Sequence, residues 1–135
     1  MANYEVRALP LYTKEDTWVR IMPDGTTRVG ITDYAQKMLK EINYIDMPSE
    51  GDEVTAGKSF ASAESIKAES EVISPISGTI IAVNETAMED PSVINRDPYD
   101  GGWMIAVKPT NLDEDKAKLL DATGYKALLE EKTAK

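Results

Sequence analysis

The part of the sequence that could carry chemistry is centred on one lysine, Lys67. It lies within the stretch SFASAESIKAESEVISPISGTIIAVN, residues 59–84, between two runs in which polar and apolar residues alternate. Alternation of this kind predicts two β-strands, so the side chain of Lys67 is expected at or beside the exposed tip of a hairpin. A lysine at such a tip is ordinarily only a solvated charge, and its position alone does not set it apart from the other lysines.

The composition removes most of the side chains on which common catalytic mechanisms depend. The chain contains no cysteine and no histidine. It therefore lacks thiol nucleophiles, disulfides, the usual zinc ligands and imidazole acid–base chemistry. If the protein takes part in redox or acyl chemistry, a group attached to it must supply the reactive atoms.

The overall size and charge indicate a soluble protein of ordinary composition. The chain has 135 residues, of which 41% are hydrophobic and 29% are charged, which suits one globular domain. Its formal net charge of −9 disfavours nucleic acid and anionic membranes as partners. No apolar run is long enough to span a bilayer and no secretory signal opens the chain, so we expect a cytoplasmic protein without a membrane partner.

The elements that must position Lys67 begin with a hairpin and a helix. Two β-rich runs, Trp18–Met22 and Thr26–Ile31, flank the turn signal Pro23-Asp24-Gly25. Asp33 and Gln36 then form a capping-box-like start to a helix. One face of this helix is expected to be apolar and to pack in the core, and it comprises Ala35, Met38, Leu39 and Ile42.

The remainder of the chain reads as short strands followed by a helical tail. Closely spaced turn residues between Ile42 and Val107 predict many short strands in a closed or sandwich-like β-structure. Helices are expected after Asn111 and near Thr123, with fraying over residues 130–135. The predicted organisation is one domain over residues 1–135, with an N-terminal extension at 1–11 and a C-terminal helical segment at 111–135.

A series of motifs along the chain resembles one known family, the glycine cleavage system H proteins. The motifs are, in order, Tyr12–Trp18, Gly30–Gln36, Glu64–Ala68, Ser74–Gly78, Asn95–Tyr99 and Gly102–Met104. The pair formed by Glu64–Ala68 and Ser74–Gly78 is similar to the lipoyl-attachment signature of that family. Because the resemblance extends from about Tyr12 to Leu129, it is far more specific than a single lysine in a turn.

The resemblance implies a fold, a cofactor and a set of partners. The fold is a mainly β barrel-sandwich hybrid, a flattened β-barrel with helices packed on its outside. Lipoic acid is joined by an amide bond to Lys67, and a lipoylating ligase or transferase installs it. The protein is then a non-catalytic carrier whose swinging arm shuttles a covalently bound intermediate between partner enzymes, as in aminomethyl transfer during glycine cleavage. The implied partners are glycine decarboxylase, aminomethyltransferase and dihydrolipoamide dehydrogenase. Tethering the arm gives it a high effective concentration at each partner, and the two lipoyl sulfurs perform the chemistry.

Other carriers of similar architecture fit less well. Biotin carriers usually flank the modified lysine with methionines, whereas Ile66 and Ala68 flank Lys67 here. The separate lipoyl domains of 2-oxo acid dehydrogenases are shorter and lack the motifs at residues 30–36 and 97–99. Glu64 lies where the H-protein family has an acidic residue that aids ligase recognition, although a solvated strand charge explains it equally well.

Three departures from the family pattern bear on the cargo. Thr17 stands where the family has a glutamate that helps to hold the aminomethyl group, and a hydroxyl offers only a neutral hydrogen bond in its place. Glu71 occupies the place of a family aspartate in the same cleft, and Glu15 is close enough in sequence to compensate. Lys40 replaces a glycine, and Glu69 replaces a small residue beside the arm.

These departures leave alternative functions open. They spare the lipoylation motif and change the surroundings that recognise the cargo. One alternative is an H-like lipoate-binding protein that carries sulfur among the enzymes of the heterodisulfide-reductase-like sulfur oxidation pathway. Another is a structural or interaction protein that kept the fold without lipoylation of Lys67.

Overall fold

The computed structural model describes residues 4–133, in which nine strands and five helices follow one another. The strands are β1 (Leu11–Tyr12), β2 (Thr17–Ile21), β3 (Thr27–Ile31), β4 (Ile42–Asp46), β5 (Glu53–Val54), β6 (Ser59–Ser65), β7 (Glu69–Ile73), β8 (Gly78–Val83) and β9 (Ile105–Pro109). The helices are α1 (Asp33–Leu39), α2 (Glu85–Glu89), α3 (Ser92–Arg96), α4 (Leu112–Lys116) and α5 (Ala122–Thr133). Within these residues no helix is long and apolar enough to cross a bilayer.

The strands form two sheets, and their neighbouring strands are antiparallel throughout. The larger sheet has the order β1-β2-β3-β9-β8-β5, and the smaller has the order β4-β6-β7. Met47 and Phe60 pack against both of the main apolar clusters, one of which joins side chains of the two sheets. The architecture is therefore mainly β with peripheral helices, as predicted.

The hairpin predicted around Pro23–Gly25 is formed by β2 and β3, and it explains one motif glycine. Trp18 pairs with Gly30 across the two strands. A Cβ atom at Gly30 would lie 2.7 Å from the Trp18 indole, so no larger residue fits without displacing that ring. The indole itself is fully buried and donates its N–H to the carbonyls of Ile31 at 2.9 Å and Pro98 at 3.0 Å.

Helix α1 differs from its prediction at both ends. Its N-cap is Thr32 rather than Asp33, and the Thr32 hydroxyl accepts from the N–H of Ala35 at 3.2 Å. The helix ends at Leu39, so Ile42 lies in β4 instead of extending the helical face. Met38 is 53% exposed, which makes its predicted place in the core wrong. The helix is simply too short for the full apolar stripe to form.

The chain leaves α1 through a strained residue that a neighbouring asparagine supports. Lys40 has φ 66° and ψ −144°, at the edge of a region that glycine populates most readily. The Asn95 side chain donates to the Lys40 carbonyl at 2.7 Å and to the Gln36 side-chain oxygen at 2.8 Å. It also accepts from the N–H of Ile42 at 2.9 Å. The first residue of the Asn95–Tyr99 motif therefore holds the turn between α1 and β4.

The segment between β8 and β9 is not made of strands, contrary to the sequence-based expectation. Helices α2 and α3 occupy it, and each buries one apolar side chain, Ala87 and Ile94 respectively. The Asn84 side chain, just before α2, donates to the carbonyls of Gly101 and Trp103. Hydrogen bonds between residues far apart in the sequence, such as these, stabilise a segment whose helices are too short to be stable alone. The same shortness prevents the helices from being recognised by sequence periodicity.

The C-terminal segment is helical, as predicted, but the capping residues and the last residue of its helices differ from the prediction. The Asp121 carboxylate, rather than Thr123, accepts from a free N–H of the first turn of α5, that of Gly124 at 2.8 Å. The Asn111 side chain makes no capping bond to α4. Helix α5 continues to Thr133, so the fraying expected from residue 130 is wrong up to that point, and residues 134–135 lie outside the described part.

The strain at Lys40 generates a stability prediction. Replacing Lys40 with glycine relieves a backbone conformation that costs about 1–3 kcal/mol, less about 0.5–1 kcal/mol for the extra entropy of glycine in the unfolded chain. We expect Lys40→Gly to raise the free energy of unfolding by about 1 kcal/mol in urea titrations. The matched control is Lys126→Gly inside α5, which should lower it by about 1 kcal/mol. Destabilisation by both variants would show that the α1–β4 turn is unstrained.

Candidate functional site

Lys67 lies at the tip of the hairpin that β6 and β7 form. The strands pair up to Glu64 opposite Glu69, and the N–H of Ser65 donates to the carbonyl of Ala68 at 2.8 Å to close the loop. The Lys67 side chain is exposed, and the neighbouring Ile66 is 88% exposed. The hairpin expected from the sequence is therefore present, with an exposed lysine at its tip.

The charge around the hairpin tip is predominantly negative. Glu64 and Glu69 face each other across the strand pair, an arrangement that costs rather than contributes stability. Within residues 4–133, Lys67 takes part in no ion pair with either of them. The amine thus remains accessible on a loop whose base carries two carboxylates.

A groove of about 220 Å³ begins beside the hairpin tip. Ala68 and strand β7 form one wall, and the 13–17 loop together with α1 forms the other. Its apolar part includes the buried side chains Ile31, Leu39 and Val72 and the more exposed Met38. A small group attached at the tip could therefore find an apolar surface within reach of the attachment point.

The rim of this groove is acidic. Four carboxylates line it, namely those of Glu15, Asp16, Glu69 and Glu71. Of these, Asp16 is paired with the ammonium group of Lys132 at 2.8 Å. No ion pair among the described residues involves the other three. Because three unpaired carboxylates surround a small volume, the groove attracts cations and repels anions.

Thr17 lies in the wall of the groove, but its hydroxyl belongs to the turn. The residue is 1% exposed, and its Oγ1 is 2.7 Å from Oγ1 of Thr13. The Thr13 hydroxyl already accepts from the N–H groups of Glu15 and Thr17, both at 3.2 Å. With its lone pairs engaged in this way, Thr13 donates its proton to Thr17. Thr17 therefore contributes to the shape of the loop and adds no charge to the groove.

Asp16 is the groove residue whose importance the sequence analysis missed. It has φ 70°, and its carboxylate accepts from the Tyr125 hydroxyl at 2.9 Å and from Lys132 Nζ at 2.8 and 3.0 Å. Burial raises the pKa of Tyr125, which therefore stays protonated and donates. Thr32, 2.7 Å from the same hydroxyl, is then the donor in their contact. An aspartate tolerates this backbone conformation well, but no spacing in the sequence pointed to Lys132.

The structure brings most of the predicted site residues together. Glu15, Thr17 and Glu71 line one groove, and that groove reaches the residue after Lys67. Lys40 lies at the end of α1 and is not among the groove-lining residues. Its departure from the family pattern thus affects a turn rather than the groove.

The hydrogen bonds of the 13–17 loop generate a graded stability prediction. Thr17→Val removes one buried hydroxyl contact and should lower the free energy of unfolding by about 1 kcal/mol. Thr13→Val removes the acceptor of two N–H groups as well, so it should cost about 2 kcal/mol or more in the same urea titration. Equal losses in the two variants would contradict the assignment of Thr13 as the centre of the network.

Comparison with known proteins identifies relatives over nearly the whole chain. The family described as "Glycine cleavage H-protein" matches residues 10–132. A probable glycine cleavage system H protein of Pyrococcus abyssi is 46% identical over 129 residues, covering 96% of each chain. The glycine cleavage system H protein of Salmonella typhimurium is 44% identical over 120 residues, covering 89% of this chain and 92% of its own.

The fold agrees with a solved structure of the same family. The crystal structure of a glycine cleavage system H protein from Mycobacterium marinum superposes with a TM-score of 0.83 at 37% identity, covering 90% of this chain and 97% of its own. This likeness confirms the predicted barrel-sandwich fold class. Sequence and structure therefore agree that the chain belongs to the glycine cleavage H-protein family, the lipoyl carriers of the glycine cleavage system, which bear lipoic acid covalently on a lysine.

Proposed function

We propose that Lys67 is the lysine that carries the lipoyl group. The observation that supports this most directly is the position of its side chain, exposed at the tip of a closed four-residue loop beside the groove. An amine in this position can be reached by a lipoylating ligase or transferase. Its nitrogen forms the amide with an activated lipoyl carboxyl, and the activating group and a proton leave.

The chain's own residues hold and present the arm. The strand pair β6–β7 anchors the attachment point, so the arm moves about a defined site instead of diffusing freely. When attached, the lipoyl group supplies two sulfurs that accept and release cargo by thiol–disulfide chemistry. Buried Ile31, Leu39 and Val72 offer an apolar surface next to this point and limit the access of water.

The groove favours a cationic cargo. Glu15, Glu69 and Glu71 give it a negative potential, which suits the aminomethyl group of glycine cleavage because its nitrogen is protonated in water. We infer that Glu15 and Glu71 together take the role that a glutamate at position 17 has in the family pattern. The sulfur-oxidation alternative gains no support, because the relatives compared above are named as glycine cleavage H proteins and the acidic groove repels oxidised sulfur anions.

Docking of partner enzymes is proposed to occur around the hairpin tip. The partners are glycine decarboxylase, aminomethyltransferase and dihydrolipoamide dehydrogenase, in whose active sites the reactions take place while this chain remains a non-catalytic carrier. Glu64 and Glu69 flank the arm, and exposed Ile66 adds an apolar contact. This surface is complementary to a basic patch with an apolar centre, and opposite charges chiefly accelerate encounter. The net charge of −9 likewise favours encounter with basic surfaces on partner proteins.

The first experiment tests the attachment site by intact mass spectrometry. Wild-type protein incubated with a lipoylating enzyme should gain the mass of one lipoyl group, and Lys67→Arg should gain none because arginine offers no amine to acylate. Lys58→Arg is the matched control, since Lys58 is an exposed lysine just before β6 and should not affect modification. Lipoylation of the Lys67→Arg protein would contradict the proposal.

The second experiment tests the cargo. The lipoylated protein, incubated with glycine decarboxylase and isotopically labelled glycine, should acquire label that intact mass spectrometry detects. Glu15→Gln and Glu71→Gln should each shorten the lifetime of the retained label by about threefold, a modest effect typical of exposed charge pairs. Glu50→Gln, in an exposed turn that does not line the groove, should leave that lifetime unchanged. If the wild type acquires no label from a competent decarboxylase, the glycine pathway is excluded.

A further inference from the structure

Lys132, near the end of α5, makes several contacts with the opposite end of the chain. Its Nζ donates to both carboxylate oxygens of Asp16, at 2.8 and 3.0 Å, and to the carbonyl of Lys14 at 3.2 Å. The side chains of Lys132 and Asp16 are 28% and 18% exposed, so solvent screens their pairing less than it screens an exposed pair such as Arg96–Asp90. The Lys132 ammonium group thus donates hydrogen bonds to both a side chain and a backbone carbonyl of the 13–17 loop.

This loop forms a wall of the groove, so Lys132 acts on the groove without entering it. Neither the Lys132 side chain nor any other part of α5 is among the groove-lining residues, whereas Glu15, Asp16 and Thr17 are. Asp16 has a positive φ of 70°, which few residues other than glycine, asparagine and aspartate adopt. Its carboxylate has two partners on α5, Lys132 and the Tyr125 hydroxyl.

A second groove residue depends on the same lysine. The Lys132 ammonium lies 5.2 Å from the centre of the Tyr34 ring, within the range of a cation–π contact. Tyr34 lines the groove from α1 and packs edge-to-face against Tyr4, with ring centres 4.9 Å apart. The side chain of Lys132 therefore contacts both parts of one groove wall, the 13–17 loop and α1.

Lys132 also determines which carboxylates of the groove are available. By pairing with Asp16 it neutralises one of the four acidic groups, and Glu15, Glu69 and Glu71 remain unpaired among the described residues. Without Lys132, Asp16 would keep only the neutral Tyr125 hydroxyl as a partner. Its charge would then repel the neighbouring Glu15 and loosen the loop that carries both residues.

We propose that Lys132 is a positioning residue of the groove. It holds the 13–17 loop and Tyr34 in place and so sets how long a cationic cargo stays bound. This inference rests on the proposed function of Lys67 as the lipoyl carrier. The C-terminal helix α5 then affects cargo retention by contacting residues that line the groove, although α5 itself does not line it. Lys67 remains the group that bears the cargo.

The test compares four single variants and one double variant in two measurements. Lys132→Ala removes the contacts, Lys132→Arg keeps a cation that can reach Asp16, and Asp16→Asn removes the charge with a residue that tolerates positive φ. Lys126→Ala is the matched control, because it removes an exposed lysine from the same helix. Amide hydrogen exchange of residues 13–17 is measured on unlipoylated protein, and release of glycine-derived label is measured on lipoylated protein.

We expect Lys132→Ala to accelerate both exchange in the loop and release of label by about fivefold, equivalent to about 1 kcal/mol. Asp16→Asn should act in the same direction, Lys132→Arg should stay close to wild type, and Lys126→Ala should change neither rate. The double variant Lys132→Ala/Asp16→Asn should be no faster than the more affected single variant, since both remove one pair.

The result that overturns the proposal is a wild-type rate of label release in both Lys132→Ala and Asp16→Asn. Faster release without faster exchange in the loop would also overturn it, because the loop would then not be the route. If Lys132→Ala does not fold, Asp16→Asn alone decides the question. Failure of wild-type protein to become lipoylated on Lys67 would instead reject the carrier site, and the exchange measurement would still report on Lys132.

Discussion

The indole of Trp18 joins the parts of the molecule on which the groove depends. It is fully buried, and its N–H is shared between the carbonyls of Ile31 in β3 and Pro98 in the segment after α3. Its ring leaves no room for a side chain at Gly30 and packs in the aromatic cluster with Tyr99 and Tyr125. Because Thr17 and Asp16 immediately precede it, the position of this one ring sets where the groove wall can lie.

The site separates two tasks between two elements. The β6–β7 hairpin presents Lys67 in solvent, and it is held by strand pairing and by the buried side chains Ala61, Ala63 and Val72. The groove beside it is built from the 13–17 loop, α1 and β7, and its shape depends on the termini of the chain. If Lys67 carries the lipoyl group as proposed, substitutions in the groove can change how cargo is held and leave the hairpin around Lys67 unchanged.

The departures from the family pattern acquire distinct physical meanings in this arrangement. Thr17 is a structural part of a turn, so the negative charge of the groove comes from Glu15, Glu69 and Glu71 instead. Lys40 strains a turn that Asn95 supports. Neither change alters the architecture, which is why a fold shared at a TM-score of 0.83 accommodates both.

The β-rich class was predictable from local sequence patterns, as were the β2–β3 hairpin and the exposed hairpin around Lys67, because alternation and turn residues act over a few neighbours. The family motifs also pointed to the lipoyl carrier before any contact was known. The folded arrangement alone reveals that Lys132 pairs with Asp16, 116 positions away, and that α5 extends to Thr133. An exposed lysine near a chain end carries no local pattern, so its role follows only from which side chains the folded core brings within hydrogen-bonding distance.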